Sequence, residues 1–318
     1  MLTYILLLLG FIFLIKGAEL LVDGASSLAK RFRISDIVIG LTIVAFGTSA
    51  LELIVNILAS FQGATDISIG NILGSNIANI LLIGGIAAMI YPIKVKKGTV
   101  WKEIPISLFA VLFLVLVAND FFIPKVSASV ISRLDGLVLI GFFLVFLYYT
   151  FGIARVEAKD MEDYEKKNIF ITLAYIIIGI TGLTIGGKWI IDSVLIIGQQ
   201  FGLSEALLGL TVVAIGTSLP ELATSAVAAF KKNADLAIGN IVGSNIFNIF
   251  WILGVSAIIR PLTFNPTLNT DALVAIGATL ILFYFILTGK EKRQIERWEG
   301  VVLFCFYLIY ISFLMWRG

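Results

Sequence analysis

Long apolar runs separated by short polar breaks make up nearly all of the chain. They predict ten transmembrane helices. Five lie near residues 2–24, 34–61, 66–91, 102–120 and 134–154, and five near 169–199, 204–230, 235–260, 268–288 and 298–316. A helix needs about 20 apolar residues to cross a bilayer, whereas a membrane β-barrel shows alternation over segments of about ten. Continuous runs of this length predict an all-α polytopic membrane protein. The opening run, MLTYILLLLGFIFLIKGAELL, lacks a basic start and a small-residue cleavage site, so it reads as a first span. The one sizeable hydrophilic stretch, residues 155–168, is short and of mixed charge. It reads as a cytoplasmic linker between a first five-helix half, 1–154, and a second, 169–318.

An internal repeat organises these spans. A shift of 169 aligns residues 35–92 with 204–261 without a gap, and 29 of the 58 pairs are identical. GLTIVAFGTSALEL pairs with GLTVVAIGTSLPEL, and SIGNILGSNIANI with AIGNIVGSNIFNI. Five spans separate the starts of the two copies, so the copies enter the membrane from opposite sides. Inverted repeats of this kind place a substrate site near the midplane, where discontinuous helices meet.

Composition narrows the chemistry. The chain is 59% hydrophobic and 14% charged, with a mean hydropathy of +1.03; soluble domains run about 45–50% apolar and about 25% charged. A soluble enzyme is thereby excluded. There is no histidine, so no His-based triad, zinc protease motif or imidazole relay exists, and Cys305 alone forms no internal disulfide or multi-cysteine metal site. Of the 23 Lys and Arg residues, 17 fall in the loops on one side of the ten-span plan. That side is cytoplasmic by the positive-inside rule, and both termini then face out. The net charge of +2 carries no implication of nucleic acid when it is spread over membrane loops.

Glu52 and Glu221 lie midway through spans, at equivalent places in the two copies. A carboxylate at that depth costs several kcal/mol unless paired, and neither repeated motif holds a basic residue. A cation from solution is the remaining partner. Thr48 and Glu52 are spaced i,i+4, as are Ser75 and Asn79, which places each pair on one face of a continuous helix. The second copy repeats this with Thr217 and Glu221 and with Ser244 and Asn248, while Ser49 and Ser218 flank the first pairs. All of these side chains offer oxygen, which suits hard ions such as Ca²⁺ or Na⁺. Glycines punctuate both motifs, at 47, 70 and 74 and at 216, 239 and 243. They suit close packing or helix breaks. Pro220 frees the Gly216 carbonyl, and carbonyls freed near that break, including that of Ala214, could face the ion. Leu51 stands at the matching place in copy one, so a milder break is expected there. Asp23 and Asp192 align under the same shift near the ends of the first and sixth spans, the candidate moving elements; Lys16, Glu19 and Lys188 there are expected to snorkel or pair locally.

GTSALEL with GNILGSN, and GTSLPEL with GNIVGSN, closely resemble the paired α-repeats of the cation/calcium exchanger superfamily, and most closely its prokaryotic sodium/calcium exchanger branch. The resemblance implies calcium exchanged for sodium by alternating access, through four cation sites in a diamond between the repeats. It implies carboxylate ligation by Glu52 and Glu221 and oxygens from Thr48, Ser49, Ser75, Thr217, Ser218 and Ser244. The backbone carbonyls of Ala45 and Ala214 would join them, with Asn79 and Asn248 at the inner corners. Some relatives, including the potassium-dependent exchangers, carry aspartate where this chain has Asn248, so potassium co-transport is not expected. The proton/calcium branch typically reads Gly-Asn before its glutamate, where both copies here read Gly-Thr-Ser, which favours sodium. The linker is too short for the calcium-sensing domains of animal exchangers.

The function expected is therefore a secondary-active Na⁺/Ca²⁺ antiporter of the cell membrane, not an enzyme. Its substrates are Ca²⁺ and Na⁺, its surroundings the lipid bilayer, and no cofactor or obligate protein partner is implied. The rivals are a proton/calcium antiporter, driven by a pH gradient without sodium, and a passive cation channel, which needs weak multi-site binding. A hydrolase built on Ser49 or Ser218 would lack a His or Lys base.

Overall fold

The computed structural model describes residues 2–119, 129–157, 168–201, 214–288 and 293–317. Most of the linker expected at 155–168 and the start of the span expected at 204–230 lie outside those residues. Helices account for nearly all of the described chain. They are α1 (Leu2–Phe32), α2 (Asp36–Thr48), α3 (Ala50–Gln62), α4 (Thr65–Ile90), α5 (Thr99–Ala118) and α6 (Arg133–Glu157), followed by α7 (Ile169–Gln200), α8 (Ala214–Thr217), α9 (Leu219–Phe230), α10 (Ala234–Ile259), α11 (Leu268–Thr288) and α12 (Arg297–Arg317). Eight of these are long and apolar enough to span a membrane, and the bent pair α2–α3 makes a ninth. The apolar helix α9 forms the last 12 residues of the span expected at 204–230. The protein is a polytopic helical membrane protein.

The first span overruns its expected end at residue 24 and continues to Phe32. Lys30 and Arg31 occupy its last turn, where cations complement the negative helix end, and Arg33 terminates it in a left-handed turn at φ 54°. α1 packs against α7 in the opposite direction along a seam of glycines. Gly17 meets Gly179 and Leu183, while Gly10 meets Gly186 and Ile190. Gly10 and Gly179 are equivalent under the 169 shift, as are Gly17 and Gly186, so the seam maps onto itself.

The other elements surround α4 and α10, the most deeply buried spans. Their apolar faces, including Ile72, Ile77, Ile241 and Ile249, are 0% exposed and form the centre of the main core. α2 crosses α10 at backbone contact: a Cβ on Gly40 would lie 3.0 Å from the Gly239 Cα. Two short antiparallel pairs brace the loops. β1 (Ile93–Lys94) pairs with β4 (Gln294–Ile295), and β2 (Val130–Ile131) with β3 (Leu262–Thr263).

Lys16 pairs with Glu19 at 2.7 Å and Lys188 with Asp192 at 3.5 Å, each within its own helix, as expected. Asp23 pairs beyond its own helix. Its carboxylate lies 2.6 Å from Lys231, just past the end of α9, and so ties α1 to the repeat-bearing helices.

Candidate cation site

The polar groups of the repeats converge where both copies of the GTS motif interrupt a helix. α2 ends at Thr48 and α3 begins at Ala50, with a 48° bend between them. Ser49 (φ −77°, ψ 11°) and Ser218 (φ −87°, ψ 5°) hold almost the same conformation at the two breaks. The expectation of a milder break in copy one is not met at the serines, whose backbone angles are nearly the same in the two copies. The physical reason is position. Pro220 occupies the second residue of α9, where its missing N–H is no loss, so it tolerates the break without causing it. Neither serine caps the helix it precedes; each hydroxyl turns instead to the glutamate of the other copy.

The break also corrects the i,i+4 reading of Thr48 with Glu52 and of Thr217 with Glu221. Each threonine closes one helix and each glutamate lies in the first turn of the next. The positive end of that helix helps to hold a carboxylate at depth. Ser75 and Asn79 do share the continuous helix α4, and Ser244 and Asn248 share α10. A π-helical stretch begins at Asn79 in α4 and at Phe247 in α10, a local widening common at functional sites.

Around this site, six of the hydrogen bonds that join copy one to copy two fall into three equivalent pairs. Ser49 Oγ donates to Glu221 Oε1 at 2.7 Å, and Ser218 Oγ to Glu52 Oε1 at 3.5 Å. Thr48 Oγ1 donates to Asn240 Oδ1 and Thr217 Oγ1 to Asn71 Oδ1, both at 3.1 Å. Asn79 Nδ2 donates to Asn245 Oδ1 at 2.9 Å, and Asn248 Nδ2 to Asn76 Oδ1 at 3.0 Å. Each bond recurs when both partners exchange copies, the pattern of an approximate two-fold relation.

What these bonds leave unused defines the chemistry. Glu52 Oε2, Glu221 Oε2, Ser75 Oγ, Ser244 Oγ, Asn79 Oδ1 and Asn248 Oδ1 are buried without a hydrogen-bond partner. These six oxygens form three equivalent pairs; the same bonds also leave one buried amide nitrogen, Asn71 Nδ2, without a partner. Both glutamates are 0% exposed, and among the described residues no Lys or Arg pairs with either. A buried polar atom without a partner costs about 1–3 kcal/mol, so six of them in one region call for an electropositive guest. Among the described residues no three acidic or Cys groups cluster; two carboxylates with hydroxyl and amide oxygens suit a hard cation, not a soft one. The predicted Ala45 carbonyl is already engaged, accepting from the Ser49 N–H at 3.0 Å and Thr48 Oγ1 at 3.3 Å.

A supporting row of amides and hydroxyls escaped the sequence reading. Asn56 Nδ2 donates to the Glu52 carbonyl at 2.9 Å, and Ser68 Oγ to Asn56 Oδ1 at 2.8 Å. In copy two Asn240 Nδ2 reaches the Glu221 carbonyl at 3.4 Å and Ser225 Oγ at 2.9 Å. Asn71 with Asn240, and Asn76 with Asn245, are identical pairs under the 169 shift, a signal that marked them beforehand.

The two serine bonds differ in length, which gives a direct test. Ser49→Ala removes a short hydrogen bond to a carboxylate, a class worth about 1.5–3 kcal/mol, and is expected to raise the calcium KM of uptake about tenfold or more. Ser218→Ala, losing the 3.5 Å contact, is expected to do less. Equal effects in the concentration dependence of ⁴⁵Ca²⁺ uptake contradict this ranking.

Known proteins resemble the chain over nearly all of its length. The family model described as sodium/calcium exchanger protein matches residues 2–152 and 171–316. A putative antiporter CaxA of Alkalimonas amylolytica is 37% identical over 315 residues, 96% of each chain. The sodium/calcium exchanger MaX1 of Methanosarcina acetivorans is 35% identical over 352 residues, covering 99% of each. Among solved structures, the sodium-calcium exchanger NCX_Mj soaked with 10 mM Na⁺ and zero Ca²⁺ superposes with a TM-score of 0.83 at 33% identity, over 98% of both chains. The same exchanger soaked with 2.5 mM Na⁺ and 10 mM Sr²⁺ gives 0.82 at 32% identity, again over 98% of both.

Proposed function

Since the chain belongs to the sodium/calcium exchanger family and is an antiporter of that type, we propose that it extrudes Ca²⁺ across the cell membrane, driven by Na⁺ entry, by alternating access at the site between the two GTS motifs. The observation that carries this reading is the set of six orphaned oxygens in three equivalent pairs, centred on two buried carboxylates with no basic partner among the described residues. Glu52 and Glu221 supply the charge. Ser75, Ser244, Asn79 and Asn248 supply neutral oxygens directly. Thr48, Ser49, Thr217 and Ser218 orient the carboxylates and amides and offer their lone pairs to the ions; the Ala45 and Ala214 carbonyls are the backbone ligands of this reading, the first shared with the Ser49 N–H and the Thr48 hydroxyl. The ten helices form two inverted five-helix halves, 1–154 and 169–318, joined on the cytoplasmic side, with both termini outside. The exchanged pattern of hydrogen bonds supports that symmetry.

Coupling follows from competition. One Ca²⁺ neutralises two carboxylates, and so do two Na⁺; both cannot occupy them together, so each ion displaces the other and only a filled site crosses. With three Na⁺ for one Ca²⁺, the sodium-loaded site carries one positive charge and the calcium-loaded site none. The sodium step then feels the membrane potential, at about 2.3 kcal/mol per charge per 100 mV. In Na⁺-loaded proteoliposomes an inside-positive potassium potential is expected to speed ⁴⁵Ca²⁺ uptake and an inside-negative one to slow it; voltage-insensitive flux contradicts electrogenic exchange. A pH gradient without sodium is expected to drive no uptake, and uptake under that condition would favour the proton/calcium alternative.

A further inference from the structure

Among the buried groups outside the ligand set, Asn76 stands out for the direction of its bonds. A side-chain amide turned through half a rotation exchanges a donor for an acceptor without changing shape. At a cation site that turn is decisive, because an oxygen attracts the ion and an NH₂ repels it. For Asn248 the choice is made by a neighbour from the other copy.

Asn76 Nδ2 donates to the main-chain carbonyl of Asn245 at 3.2 Å. A carbonyl only accepts, so that end of the Asn76 amide is its NH₂ and the other end is its oxygen. That oxygen lies 3.0 Å from Asn248 Nδ2, and Asn248 therefore meets it as a donor. The remaining atom of Asn248, Oδ1, is left buried without a partner. Asn76, Asn245 and Asn248 are 1%, 2% and 0% exposed, so these bonds are shielded from bulk water in this conformation. The polarity of the ion-facing atom thus traces back through one amide to the backbone.

We propose that Asn76 is a positioning residue that fixes Asn248 with its oxygen, not its NH₂, toward the cation, so that residue 76 of copy one sets the calcium affinity of residue 248 in copy two. The proposal rests on the antiporter reading through Asn248 as a ligand. Without Asn76, the turned amide of Asn248 becomes available, and binding selects against it at the expense of affinity. The effect expected is on affinity and not on the maximal rate.

A double-mutant cycle in reconstituted protein tests it, using ⁴⁵Ca²⁺ uptake into Na⁺-loaded vesicles by wild type, Asn76→Ala, Asn248→Ala and the double variant. Asn76→Ala is expected to raise the calcium KM about tenfold, within the coupling found for residues in contact, with the maximal rate within about twofold. In the Asn248→Ala background the same change is expected to move KM less than about twofold, since the group it acts through is gone. Equal KM changes in both backgrounds, or a loss of rate at unchanged KM, overturn the proposal. Asn76→Leu, which keeps the branching and the number of side-chain heavy atoms and needs no hydrogen bond, reports the same cycle if the alanine variant does not fold. Equilibrium ⁴⁵Ca²⁺ binding to purified protein separates the two claims. Wild type that binds Ca²⁺ without exchanging it for Na⁺ overturns the antiport reading alone. Additive effects of 76 and 248 on binding overturn the positioning role alone, and absence of binding by wild type overturns both.

Discussion

Glu52→Gln and Glu221→Gln are each expected to leave a folded protein whose calcium exchange has fallen about 100-fold or more. The substitution is nearly isosteric, so packing around the 0%-exposed side chain survives. What disappears is one of the two charges that compensate a divalent ion. Removing one member of a desolvated charge pair costs about 2–5 kcal/mol, and about 2.7 kcal/mol already corresponds to a hundredfold. Folding is expected to survive for a related reason. Glu52 Oε2 and Glu221 Oε2 have no partner in the protein, and burying a neutral amide costs less than burying an unpaired carboxylate. Thermal unfolding of detergent-purified protein checks both halves. Wild type is expected to gain stability on adding Ca²⁺, as ligand binding to the native state requires. The glutamine variants are expected to unfold no lower than ion-free wild type and to gain nothing from Ca²⁺. A glutamine variant that keeps its calcium-induced stabilisation contradicts the assignment.

Gly17→Leu is expected to abolish assembly of the α1–α7 pair, and with it any folded transporter. A Cβ at Gly17 would lie 2.7 Å from the Leu183 nitrogen and 2.8 Å from the Gly179 carbonyl oxygen. Both are backbone atoms of a helix and cannot turn aside, as the end of a side chain can. The same holds across the seam, where a Cβ on Gly186 would lie 2.7 Å from the Leu14 nitrogen. Small residues at such crossings let membrane helices approach to backbone contact, and overpacking that cannot relax costs at least about 1–3 kcal/mol. Gly141→Leu is the control, because nothing lies within 4 Å of a Cβ there. Size-exclusion profiles and yields after detergent extraction are expected to show loss of the monodisperse species for position 17 and little change for position 141. An intact, active Gly17→Leu protein contradicts the close-packed seam.

The spans and the glutamates were legible in the sequence because each rests on a strong, local signal. A run of apolar residues has few readings other than a membrane helix, and a carboxylate inside such a run needs a partner. The 169-residue repeat made the two halves of the site visible together. The break at Ser49 was harder. Proline at 220 drew attention to copy two and suggested that copy one was smoother, whereas tertiary hydrogen bonds from Thr48 and Ser49 to Asn240 and Glu221 accompany a break in both. A spacing of i,i+4 predicts a shared face only while the helix continues, and here it stops between the two residues. Asn76 and Asn245 were within reach, since both survive the shift, but their role depends on which end of an amide faces which neighbour. That is a property of three-dimensional pairing. The bond from Asp23 to Lys231 joins residues 208 apart, and no periodicity announces it.

The central claim is that sodium and calcium exchange through one site built on Glu52 and Glu221. Uptake of ⁴⁵Ca²⁺ into proteoliposomes, measured with an outward sodium gradient and again without it, for wild type beside Glu52→Gln, tests this most directly. The account expects wild type to accumulate Ca²⁺ only while the gradient is present and Glu52→Gln to accumulate none. Accumulation by wild type that is indifferent to sodium, or a Glu52→Gln variant that exchanges at the wild-type rate, would contradict it.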